Sequence, residues 1–135
     1  MTLPRLSIEV LSVAMKRGRM VVLLRVDGER QTSRALAERI LSDRPNLAFH
    51  ACRNACGPHF HDVIERTSIP HLLEHVIVDE QIRAEEEGSD RLFVGTTMWT
   101  DEAQGEARVE VSFGNDMVAL AALRTALAYL EAVQL

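Results

Sequence analysis

Two strand-like runs joined by a tight turn constrain the fold of this chain more than any other feature. Residues 6–14 (Leu-Ser-Ile-Glu-Val-Leu-Ser-Val-Ala) put Leu6, Ile8, Val10 and Ser12 on one face of an extended segment. Val21-Val22-Leu23-Leu24-Arg25-Val26 is rich in branched side chains and reads as a buried strand. Lys16-Arg17-Gly18-Arg19 between them is a turn that pairs the two runs as a hairpin, and Asp27-Gly28 is a second turn signal. After Thr32 the hydrophobic period lengthens: Leu36, Ile40 and Leu41 recur at helical spacing, Thr32 or Ser33 can cap the helix, and Pro45 stops it. Residues 46–57 show no period and hold both cysteines of the chain, Cys52 and Cys56.

The second half repeats the change of period in reverse. Thr67-Ser68-Ile69-Pro70 opens a helix, with Ser68 as cap and a proline tolerated in the first turn. Leu72, Leu73, Val76, Ile77 and Ile82 give it a broad apolar face, and Glu85-Glu86-Glu87 before Gly88 marks its end, where acids oppose the helix dipole. Leu92-Phe93-Val94 and residues 107–113 read as strands, the second alternating cleanly. Leu120, Leu123, Leu127 and Leu130 then form a leucine stripe on a final helix, expected in the core. The order is ββα–loop–αββα. It predicts an α+β fold: an antiparallel sheet packed on one side by helices, a two-layer sandwich, as a single domain over residues 1–135.

Charge and cysteine usage narrow the function classes. The chain carries 15 basic and 20 acidic residues, net −5, which disfavours a nucleic-acid partner because such proteins present a basic face. Lys16 is the only lysine, a skew that reflects base composition rather than function. No apolar run approaches the roughly 20 residues that span a bilayer, so no membrane partner is expected. Met1-Thr2-Leu3-Pro4-Arg5 lacks the order of a secretory signal, and two cysteines cannot staple a secreted scaffold. A cytoplasmic location is the expectation.

One constellation carries chemistry: His71-Leu72-Leu73-Glu74-His75. On a helix, residues four apart share a face, so both imidazoles can reach one metal ion. Glu74 borders the same site and can take a proton from water that the metal acidifies. The H-x-x-E-H order is that of the inverted zinc hydrolases. Two polar histidines and a glutamate on a helix surface are the bland alternative, but these residues sit just inside a capped helix on an otherwise apolar stretch. A catalytic zinc wants a third protein ligand. The cysteines of the preceding loop are the obvious candidates, Cys52 or Cys56, and His50, His59 and His61 crowd the same stretch. Asp79 could join as a ligand or orient a histidine.

Taken together, Phe49-His50-Ala51-Cys52, Glu65-Arg66-Thr67 and His71-Leu72-Leu73-Glu74-His75-Val76 with Asp79 and Gln81 resemble the N-terminal domain of cyanophycin synthetases. Phe93-Val94-Gly95-Thr96-Thr97 resembles that domain's Gly-Phe-Gly-Arg-Thr-Arg stretch, and Val109-Glu110-Val111-Ser112-Phe113 its next strand. The resemblance covers roughly residues 20–135, and its specificity lies in the ordered set of motifs. It places the family's cysteine on Cys52 and its metallopeptidase-like H-x-x-E-H on His71, Glu74 and His75. In the family this domain precedes two synthetase domains that polymerise aspartate and arginine, and it is thought to hold the polymer and in some members to cleave it. Those two domains have no counterpart here, so synthesis of the polymer is not expected of this chain. There are departures: Pro70 and Arg66 replace glycines, Gly57-Pro58-His59 stands where a glycine pair is usual, and Thr96-Thr97-Met98 has lost the arginines. The motif on a helix backed by a sheet also occurs in pitrilysin-type peptidases and in S-ribosylhomocysteinase, and the latter completes its site with a cysteine. The analogy favours His71, His75 and Cys52 as ligands of Zn2+ or another divalent transition metal, with Glu74 as base.

Two functions follow as expectations: a zinc-dependent metallohydrolase acting on peptides or amides, or a non-catalytic peptide- or partner-binding module with a structural metal. For the first, Glu74, Asp79 and Glu80 near the motif favour an arginine-bearing, cyanophycin-like peptide. Assembly into a homo-oligomer is left open.

Overall fold

The computed structural model describes residues 6–52, 57–85 and 92–133. A hairpin opens it, as β1 (Ser7–Lys16) and β2 (Arg19–Asp27) pair antiparallel around Gly18. Gly18 has φ +68°, a left-handed conformation that glycine adopts without steric cost. Helix α1 (Arg34–Asp43) follows, capped by the Ser33 hydroxyl accepting from the Leu36 N–H, and a short 3-10 turn begins at Pro45. Helix α2 (Ile69–Ala84) begins at the Ser68 cap and carries Pro70 in its first turn. The chain then adds β3 (Gly95–Asp101), β4 (Glu106–Ser112) and α3 (Asp116–Ala132). The four strands form one antiparallel sheet in the order β1-β2-β4-β3, so β1 and β3 are its edges. Helices α2 and α3 pack side by side, α2 lying across β3 and β4. The expected two-layer α+β arrangement is the one observed.

Alternation along the central strands decides which face is covered. Met20, Val22, Leu24 and Val26 of β2 and Ala107, Val109 and Val111 of β4 are all buried, facing a core that includes Leu72, Leu73, Val76 and Ile77 of α2. Helix α2 is buried on nearly every side, because the loop around Phe60 and Leu47 covers the flank that the sheet and α3 leave open. Eleven of its sixteen residues are buried, among them Glu74, His75, Asp79 and Gln81. Each of these polar groups therefore needs a partner. Arg44 supplies the one for Asp79, with Nη1 2.8 Å from Oδ2, and its Nη2 reaches Glu80 at 2.6 Å. The same guanidinium lies 4.2 Å from the ring centroid of Tyr129, tying α1, α2 and α3 together.

Four expectations are corrected in detail. Leu11 forms a β-bulge, since Val10 pairs with Leu24 and Ser12 with the next residue, Leu23. The extra residue turns Ser12 to the opposite face from Ile8 and Val10 and brings Val13 and Met15 to theirs. The third strand is not Leu92-Phe93-Val94 but Gly95–Asp101, in which Gly95, Thr97 and Trp99 share the face of Val111, Val109 and Ala107. The buried stripe of α3 is Ala119, Ala122, Leu123, Ala126 and Leu130; Leu120 is exposed and Leu127 half-buried, because small residues let α3 lie close to α2. Ile82 belongs to no core, being 46% exposed. Of the acidic run, Glu85 caps α2, while Glu86, Glu87 and Gly88 lie outside the described residues.

Removing Arg44 leaves Asp79, 2% exposed, with only the half-exposed Arg83 as counter-charge. Arg44→Ala is expected to cost about 3 kcal/mol of stability, the usual scale for breaking a buried pair. Urea unfolding of the variant beside Asp79→Asn and the double variant checks this, and a strongly non-additive cycle is the expected outcome.

Candidate metal centre

The start of α2 is held in place before any side chain acts. Thr32 and Thr67 clasp one another: the Thr32 N–H donates to the Thr67 carbonyl at 2.8 Å, and the Thr67 N–H donates to Thr32 Oγ1 at 2.9 Å. The Ser68 hydroxyl accepts from the His71 N–H, so the first helical turn presents His71 from a fixed backbone. One turn later His75 projects from the same face. The loop that carries His50 and Cys52 is pinned at both ends, by the Cys52 N–H on the Pro58 carbonyl (2.9 Å) and the Phe60 N–H on the His50 carbonyl (2.8 Å).

These elements bring three donors together. His71 Nε2 lies 3.2 Å from His75 Nε2 and 3.4 Å from Cys52 Sγ, and the three donor atoms all lie within 4.8 Å of one another. The second nitrogen of each imidazole is occupied. Thr67 Oγ1 is 2.8 Å from His71 Nδ1, and His50 Nδ1 is 3.1 Å from His75 Nδ1. Partners on Nδ1 turn both Nε2 atoms towards the shared point, as the outer contacts of metal-binding histidines do. Phe60, fully buried, stacks on His75 with centroids 3.9 Å apart and meets His71 edge-on at 5.1 Å. Two imidazole nitrogens and a sulfur fit a borderline-soft divalent ion. Cys52, His71 and His75 could therefore hold a metal ion.

Glu74 stands beside this group without joining it. Its Oε1 accepts from the Thr97 hydroxyl at 2.7 Å, and its Oε2 lies 3.5 Å from His75 Nε2. Burial raises its pKa to about 6, partly offset by the Thr97 hydrogen bond. Burial also keeps the imidazoles neutral: His75 is pushed down to about 2, by desolvation first and then by His71 and His50, and His50 and His71 are lowered too. Neutral imidazole is the ligating form. The metal group and Glu74 line one wall of a cleft of about 620 Å³ between α2 and β3, with Thr97 and Trp99 opposite.

The remaining candidates fall elsewhere. Asp79 is no part of the donor group, and Arg44 and Arg83 take its carboxylate one turn beyond His75. His59 is exposed, caps a short 3-10 turn with Asp62 and is no part of the donor group; His61 is exposed as well. Cys56 lies outside the described residues. Two residues that touch Glu74 stood in the stretch 93–97 without being singled out. Thr97 was hidden in a stretch of polar β residues. Gly95 is required by close approach, because a Cβ there would stand 2.8 Å from Glu74 Cγ. A glycine opening a strand is the only hint the sequence offered. No protein-family model, curated protein or solved structure matches the chain. Among the described residues, no helix is long and apolar enough to cross a membrane.

The metal-free protein is expected to lose stability as pH falls below about 6.5, because the unfolded chain then takes up protons that the buried His50, His71 and His75 refuse. Glu74 acts oppositely between its unfolded value of 4.5 and about 6, but it is one group against three. Thermal unfolding of chelator-treated protein at about pH 7.5 and 5.5 checks the sign: the melting temperature is lower in acid.

Proposed function

We propose that this chain is a zinc-dependent hydrolase of amide bonds, with Cys52, His71 and His75 holding the ion and Glu74 as the general base. The observation that supports this best is the pairing of a three-donor group with a buried carboxylate on the wall of one cleft. Three protein donors leave a coordination position for water or substrate, whereas a structural site closes with four. That count favours hydrolysis over a purely structural metal. The ordered motifs shared with the N-terminal domain of cyanophycin synthetases support the same reading.

When bound, zinc supplies a Lewis acid that polarises a carbonyl and acidifies water. The chain's own residues do the rest. Thr97 fixes one oxygen of Glu74 and leaves Oε2 facing the histidines. With a pKa near 6, that oxygen is ionised at neutral pH yet basic enough to accept a proton from attacking water. As the C–N bond breaks, the same carboxyl delivers the proton to the departing nitrogen. Water thus ends as the new carboxyl oxygen on one product and a proton on the amine of the other. Phe60 and the buried flank of α2 exclude solvent behind the imidazoles.

Glu74→Gln is expected to keep about one metal ion per chain and to lose about 100- to 10,000-fold in amide turnover, the usual contribution of a general base. Elemental analysis after gel filtration, beside peptide hydrolysis followed by mass spectrometry, reads both quantities. His71→Ala is expected to lose the ion itself. Gly95→Ala is expected to retain the metal while displacing Glu74, so its turnover falls without loss of zinc.

A further inference from the structure

We infer that the cleft takes its substrate as an extended, uncharged peptide segment laid along the free edge of β3, with an aliphatic side chain seated against Val78, Ile82 and Phe93. What becomes of the bound segment rests on the hydrolase reading; how it is held does not. The first support is the position of β3 at the edge of the sheet. The Ser112 N–H donates to the Val94 carbonyl at 2.8 Å, which fixes the alternation of the β3–β4 ladder. Thr96 and Met98 therefore turn their backbone groups to β4, and Gly95 and Thr97 turn theirs outward. Among the described residues, no backbone hydrogen bond reaches those outward groups. A row of unpaired donors and acceptors is the template for an added strand.

That edge lies beside the candidate reactive group. Gly95 and Thr97 are the two β3 residues that touch Glu74, one by close approach and the other by its hydroxyl. A strand added there runs about 4.8 Å from β3 and turns every second side chain to the face shared by Gly95, Thr97 and Trp99, into the space next to α2. What waits in that space is apolar. Val78 is buried in the cleft wall, Phe93, two residues before Gly95 and so on its face, is half-buried, and Ile82 is 46% exposed within the same cavity. Among the described residues the lining holds a single carboxylate, Glu74, and neither lysine nor arginine. Of the three acids on which a preference for arginine rested, Glu74 lines the cleft, while Asp79 and Glu80 are bound to Arg44. The charge of the cleft thus matches a neutral chain better than a cationic one.

Trp99, the only tryptophan of the chain, lines the cleft and reports occupancy. The test titrates zinc-loaded Glu74→Gln protein with the blocked hexapeptide acetyl-Ala-Gly-Ser-Leu-Ser-Ala-amide, with counterparts bearing arginine or aspartate for leucine, and with copies N-methylated at one residue each. The leucine peptide should bind about tenfold more tightly than either charged one, and Ile82→Lys, at a position 46% exposed, should erase that difference. N-methylation at alternate residues should weaken binding about tenfold, while methylation at the intervening ones changes little, the period of a paired strand. Equal or tighter binding of the arginine peptide, a flat response to methylation, or no saturable binding would each overturn the inference. Wild-type protein given the same peptides separates the two claims. Binding with that period but no cleavage sinks the hydrolase reading and leaves the inference standing; cleavage without the period does the reverse.

Discussion

A helix covered on nearly every side needs partners for the polar side chains it brings inside, and α2 brings four: Glu74, His75, Asp79 and Gln81. The architecture around it follows from that demand. Arg44 is carried in from the end of α1 to meet Asp79, Gln81 reaches the Ser112 carbonyl at the end of β4, Thr97 meets Glu74 from β3, and His50 meets His75 from the loop. Each partner comes from a different element, so the polar face of one helix fixes the relative placement of the sheet edge, the first helix and the loop. These contacts are costly if half made, which is why they specify one arrangement.

The same demand leaves a remainder in the first half of the helix. His71 and His75 satisfy their Nδ1 atoms within the protein, and among the described residues their Nε2 atoms face one another, the sulfur of Cys52 and one oxygen of Glu74. A shared proton can serve two nitrogens, but it leaves a thiol and a carboxylate crowded around them in a low-dielectric wall. A divalent cation satisfies both imidazoles and a thiolate at once, and it offsets the burial of Glu74. Stability and the candidate chemistry thus draw on the same residues: the packing that strips water from these groups also raises the pKa of Glu74 to about 6.

Much of this was legible in the chain. The hairpin around Gly18, the Ser33 and Ser68 caps and the four-residue spacing of His71 and His75 are local signals, and local signals survive folding. What was not legible depended on partners far along the chain. The bulge at Leu11 reverses the face of everything after it, and nothing in Leu-Ser-Val-Ala announces an extra residue. Of the α3 leucines that read as core by chemistry, Leu123 and Leu130 are buried, whereas Leu120 and Leu127 give way to Ala119, Ala122 and Ala126, small enough for close packing on α2. Ile82 looks like a core residue by type and is a cleft residue by position. Asp79 sits one turn beyond His75, a plausible spacing for a ligand, and only the arrival of Arg44 from 35 residues away assigns it to stability. Cys52 was favoured over its neighbours by analogy, and the pinned loop is what carries it to His71.

The central claim is that Cys52 joins His71 and His75 on one ion with a position left open. X-ray absorption spectroscopy of the zinc-loaded protein tests it most directly, because sulfur and nitrogen scatter from zinc at distinct distances, about 2.3 Å and about 2.0–2.1 Å. The account predicts one sulfur and two imidazole nitrogens with a further light atom, and loss of the sulfur shell in Cys52→Ser. A shell of nitrogen and oxygen alone, or two or more sulfurs, would contradict it.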